Sequence, residues 1–107
     1  NLVGANLTGA KLMNADLSFA DIALAFLDEV SAWDADLIGV HLRGASLIRA
    51  DLSRARLIFA DLSRASLQEA NLDGANLSDA DLSFATMRGA ILCNTRMPDA
   101  SILYNGC

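Results

Sequence analysis

The stretch DLSRARLIFADLSRASLQEANLDGA, residues 51–75, decides the fold. Cut into fives, it puts Leu52, Leu57, Leu62, Leu67 and Leu72 second in their units, and Ala55, Ala60, Ala65, Ala70 and Ala75 fifth. Neither ordinary period accommodates this. On an α-helix, at about 100° per residue, a step of five advances about 140° and smears the leucines around the circumference. On a straight strand, an odd step flips successive leucines to opposite faces. The pattern closes only if the backbone turns a corner in every unit. The second and fifth side chains then point inward and the other three point out.

The same frame runs outward from Asn1 to Asn105. Leucine fills the second position except at Ile22, Ala32, Met87, Met97 and Ile102, and alanine fills the fifth except at Val30, Val40, Thr95 and Asn105. The first position favours Asp, Asn and Ser. Every glycine but Gly106 stands fourth, as do Asn14 and Asn94. That placement predicts a type II turn, whose third residue needs positive φ. Phe19, Arg49, Arg54, Phe59 and Arg64 share the fourth position, and there the expectation is a turn without positive φ.

The units NLTGA, DLSRA and NLDGA, at 6–10, 51–55 and 71–75, resemble the A-(D/N)-L-x-x motif of pentapeptide-repeat proteins. The resemblance covers residues 1–105 and implies an all-β fold, a right-handed quadrilateral β-helix with four units per coil and about five coils at the strand spacing of parallel ladders. Residues 106–107 are left as a C-terminal tail. Members of this family are abundant in cyanobacteria and chloroplast lumens, so the cytoplasm and the thylakoid lumen or a periplasm are the compartments in play.

Composition sets further bounds. Apolar residues make up 53% but aromatics only 6%, so the core is uniformly aliphatic. A net charge of −5 excludes the basic footprint of nonspecific nucleic-acid binding. The longest apolar run, Ile22 to Leu27, is far below the ~18 residues of a membrane span, so no membrane insertion is expected. The chain starts at Asn1 rather than Met and reads as a processed or excised piece. Its first units begin directly in register without a capping helix. Such an end stacks on a second copy, as an end-to-end homo-oligomer, or has lost an upstream cap. At the other end Thr95, Pro98 and Asn105 break the pattern, and Tyr104 is placed to fold over the last coil.

With four units per coil, residues 20 apart stack. One column then reads Asp21, His41, Asp61, Asp81, and His41 between aspartates is expected to form a surface ion pair with a raised pKa. A second column, Asp16, Asp36, Arg56, Asn76, Arg96, makes Asp36 and Arg56 partners. Ala32 replaces a core leucine and leaves a gap, which Phe26 or Trp33 is expected to fill by turning inward. Cys93 points outward, so a bond to Cys107 requires the tail to leave the coil, and would suit an oxidising compartment.

The candidate partner surface combines an apolar group (Phe19, Ile38, Ile58 and Phe59, with Trp33 nearby) with an arginine belt. Residues 41–65 carry a net charge of +3 between acidic ends, and Arg49, Arg54 and Arg56 are placed to dock an acidic partner. No catalytic, cofactor or metal constellation is present in the sequence. The reading is a non-enzymatic scaffold or protein-interaction module. The alternative is a duplex-DNA mimic that binds a type II topoisomerase, DNA gyrase, as some family members do. The acidic balance favours that alternative. The arginine belt, and the lack of phenylalanine at any second position, count against it.

Overall fold

The computed structural model describes residues 1–107. The chain winds so that each first-position residue bridges, in parallel, the residue 20 further on, in an unbroken series from Asn6↔Phe26 to Asn76↔Arg96. Four five-residue units therefore make one turn of a quadrilateral β-helix.

Four kinds of backbone bond recur. The first-position N–H donates to the fifth-position carbonyl of the preceding coil, as His41 does to Ala20 at 2.9 Å. The second-position N–H donates to a first-position carbonyl of the next coil, as Leu42 does to Asp61 at 2.8 Å. The fourth-position N–H donates to a third-position carbonyl of the next coil, as Arg49 does to Gln68 at 2.9 Å. The fifth-position N–H closes its own corner on the second-position carbonyl, as Ala60 does on Leu57 at 3.1 Å.

Every fourth-position residue from Gly4 to Asn94 has positive φ, the non-glycines included: Phe19 at 62°, Arg49 and Arg54 at 57°, Phe59 and Arg64 at 60°. The expectation of a different turn at these bulky corners is therefore corrected. The reason lies in the ladder. The peptide between the third and fourth residues supplies both a donor to the coil ahead and an acceptor to the coil behind. Type I and type II turns differ by a flip of that peptide. Only the type II orientation keeps both bonds, worth about 1 kcal/mol each and more if left unsatisfied, against about 1–2 kcal/mol for a left-handed residue. Glycine is thus favoured at the corner but not required.

The inward column is as the pattern dictates. Leu52, Leu57, Leu62, Leu67, Leu72 and Leu77 are all at most 1% exposed, and the alanines between them are equally covered. First-position Asp and Asn face out, but their Oδ1 accepts the third-residue N–H of the same unit, as at Asn6, Asp16, Asp51, Asp61, Asn71, Asn76 and Asp81. This Asx turn satisfies a donor the ladder leaves free, which is why the first position favours these residues. Coverage falls toward the N-terminal coil, where Leu2 is 44% exposed and Leu7, Leu12 and Leu17 are half-buried.

At Ala32 the axis holds a cavity of about 20 Å³, lined by Leu12, Leu27, Val30, Leu37 and Leu52 among other aliphatic side chains. The gap is real, but neither aromatic fills it. Phe26 is 53% exposed, and Trp33 stays half-buried at its outward position. Their flanking peptides are engaged in the ladder, with Phe26 donating to the Ala5 carbonyl and the Trp33 carbonyl accepting from Asn14. That fixes both side chains outward.

The C-terminal end departs from the lattice earlier than the in-frame sequence suggests. The corner slips one residue, with Ala100 rather than Asp99 left-handed at φ 69°. Strand β1 (Leu92–Arg96) then pairs antiparallel with β2 (Ile102–Asn105), so the last unit turns back instead of coiling. Tyr104 is 70% exposed and does not fold over the coil; the backbone of β2 lies beside it instead. The buried Thr95 hydroxyl donates to the Leu72 carbonyl at 2.7 Å, which accounts for threonine at a fifth position.

Candidate functional site

Units 16–20, 36–40, 56–60 and 76–80 form one face of the prism, as the Asp16↔Asp36↔Arg56↔Asn76 bridges show. Phe19 and Phe59 stand on one corner of that face, two coils apart, 71% and 65% exposed. Gly39 lies between them, and the Phe19 ring leans over it: a Cβ there would sit 2.5 Å from the ring. Glycine at 39 thus makes room for an aromatic that would otherwise have to swing away. Ile38 and Ile58 are half-buried in successive coils beside this corner. The four residues make one apolar strip along the axis, and Arg56 lies on the same face.

The structure separates the remaining candidates. Trp33 and Arg54 belong to the preceding face, and Arg49 to the one before that, since Ser31 bridges Asp51 and Phe26 bridges Ser46. The three arginines reach back one coil to carboxylates. Arg54 grips Asp34 bidentately, Nε to Oδ1 at 2.9 Å and Nη2 to Oδ2 at 3.0 Å. Arg56 meets Asp36 at 3.3 Å, the pairing the column predicts, and Arg49 meets Glu29 at 3.6 Å. A fourth belt residue, Arg64, lies over the Phe84 ring at 5.0 Å, a cation–π contact of stacked fourth positions that the sequence reading missed although the 20-residue register contains it. The belt is thus largely matched by its own neighbours.

His41 forms no ion pair, contrary to expectation. It is exposed, and its neighbouring carboxylates are turned to their own units. Asp21 accepts the Ala23 N–H at 3.3 Å, and Asp61 accepts both the N–H and the hydroxyl of Ser63, at 3.0 and 2.6 Å. No His, Cys, Asp and Glu side chains gather as a metal-binding group.

The bond and charge of Arg54 hold the Asp34 carboxyl below its ordinary value, and the Ser101 hydroxyl and N–H do the same for Asp99. A carboxyl with a depressed native pKa favours the folded state fully above its unfolded pKa, and loses that contribution as pH falls through the native value. Stability should therefore be flat from neutral pH to about 5 and fall below about 4. In Asp34→Asn part of that acid slope should vanish, as measured by melts between pH 2.5 and 7. An unchanged slope would show that the Arg54 pair contributes nothing. Both groups are solvent-exposed, so the effect is small.

The family profile described as pentapeptide repeats matches the chain in 8 copies, over residues 1–28, 27–68 and 60–97. Three solved structures share the fold. A pentapeptide repeat protein of the Arabidopsis thaliana thylakoid lumen is 28% identical with a TM-score of 0.69, over 96% of this chain and 68% of that one. One from the cyanobacterium Cyanothece 51142 is 33% identical with a TM-score of 0.66, over 82% of this chain and 56% of that one. HetL of Nostoc sp. strain PCC 7120, described as involved in heterocyst differentiation regulation, is 36% identical with a TM-score of 0.50, over 94% of this chain and 52% of that one. The chain thus spans between half and about two thirds of the length of these relatives. No curated protein matches it significantly.

Proposed function

This chain belongs to the pentapeptide-repeat family, and from that premise we propose that it is a non-enzymatic interaction module, a rigid rod of about five coils at the ladder spacing that presents one apolar strip to a protein partner. The observation that carries this reading is the pair Phe19 and Phe59. Two large aromatics stand mostly in water on one corner of the prism, at positions where the backbone would favour glycine. Neither contributes to the core, and exposed apolar side chains gathered in a strip favour a contact surface. The leucine-filled axis leaves no cleft for a substrate, which supports a binding rather than a catalytic role. The Cys93–Cys107 bond and the lumenal relative support an oxidising compartment, the thylakoid lumen or a periplasm.

The test compares capture of partners by the parent and by Phe19→Asp/Phe59→Asp. Aspartate tolerates positive φ at least as well as phenylalanine, so the variant should fold with an unaltered far-UV spectrum. The reading expects a captured protein to bind the variant at least tenfold more weakly, the loss of more than about 1.4 kcal/mol. Equal binding would remove the strip from consideration.

The duplex-mimic reading keeps one supporting observation beyond net charge. Pairing of Arg49, Arg54 and Arg56 with acids of the coil below removes much of the positive band. Inhibition of gyrase supercoiling at low micromolar protein would favour mimicry over a scaffold role.

A further inference from the structure

Strand β2 is held differently from every other part of the fold. Strand β1 beneath it is fixed in the lattice from below: Leu72 donates to Ile91, Gly74 to Cys93 and Leu77 to Arg96, at 2.7–2.9 Å. By contrast, β2 has β1 as its one strand neighbour, through a bulged antiparallel pairing. All four of its residues are exposed, and none belongs to the core cluster. Within the strands there are only 4 backbone hydrogen bonds. What closes the segment is the Cys93–Cys107 disulfide, across a sequence separation of 14. Gly106, at φ 85°, makes the last turn before it. Cys107 is exposed and Cys93 half-buried, so Cys107 is the more accessible residue of the pair.

We propose that this disulfide is a redox-operated latch, and that its reaction partner is a dithiol reductant such as a protein dithiol oxidoreductase. A thiolate of the reductant attacks Sγ of Cys107, forming a mixed disulfide and releasing the Cys93 thiolate. The second thiol of the reductant, as thiolate, then attacks its own sulfur in the mixed disulfide and releases Cys107. Two electrons and two protons pass to the cysteines, and the reductant leaves as a disulfide. The reduced tail comes away from Leu92–Arg96 and uncovers the free main-chain edge of that strand. The coil below stays wound, because its ladder and the Thr95–Leu72 bond do not involve the tail. This goes beyond the interaction reading and does not depend on the Phe19 strip.

Hydrogen exchange on the whole chain, oxidised and after reduction with a phosphine, tests the latch, with free thiols titrated to establish that both cysteines are reduced. Amides of residues 101–107 should exchange about tenfold faster or more, while those of 42–77 change by less than about twofold, the signature of local opening. Cys107→Ser should reproduce the reduced pattern without reductant. Unchanged tail protection with both thiols free would overturn the proposal, as would tail and core losing protection together, which would make the bond a staple of the whole fold.

Discussion

Leu57→Asp should abolish the cooperative fold, with the far-UV spectrum collapsing and no thermal transition above room temperature. Leu57 is 0% exposed in the middle of the aliphatic column. Substitution removes about 2 kcal/mol of burial and places a carboxyl where no polar side chain answers it. Even neutralised by protonation, the group costs several kcal/mol, so the total approaches the 5–15 kcal/mol by which ordinary domains are stable. The adjacent Ile58→Asp is the control. Ile58 points outward and is half-buried, so its loss should cost no more than about 1–2 kcal/mol. Two neighbours with opposite sensitivity follow from a chain that alternates inside and outside within one unit. A Leu57→Asp protein that melts like the parent would refute the inward column.

Ala32→Leu should act in the other direction, raising stability by about 1–2 kcal/mol. Leucine at 32 would restore the column Leu12, Leu52, Leu72, Leu92 and fill the cavity of about 20 Å³. Three added carbons are worth about 2 kcal/mol gross, less the strain of moving Val30, which already leans into the same space. For a domain of this size the melting point should rise by about 4–8 °C per kcal/mol. A lowered melting point would mean that Val30 and its neighbours have closed the slot.

The aliphatic column, the 20-residue register, the gap at Ala32 and the Asp36–Arg56 pair were legible because each depends on position alone. The corners at Phe19, Arg49 and Phe59 were not, since their φ is imposed by hydrogen bonds from the coils on either side rather than by the residue there. His41 misled for a related reason. Stacking put aspartates beside it, but their oxygens were already engaged by the N–H groups of their own turns. The disulfide could be placed by register only as a condition on the tail. The reversal after Arg96 was hidden because Ile102 keeps the repeat in frame while the backbone abandons it. Of the candidate surface, the Phe19–Ile38–Ile58–Phe59 strip holds together on one face. The arginines spread over three faces and spend their charge on acids one coil away, a match that column reading found for Arg56 and overlooked for Arg49 and Arg54.

Scalar couplings across hydrogen bonds, read by NMR on isotope-labelled protein, go straight to the winding itself. Magnetisation should pass from the amide nitrogen of Leu42 to the carbonyl carbon of Asp61, from Leu47 to Ser66 and from Leu52 to Asn71. Couplings that instead join each amide to a carbonyl four residues earlier, or to one at any other spacing, would contradict a backbone that closes one circuit in four units.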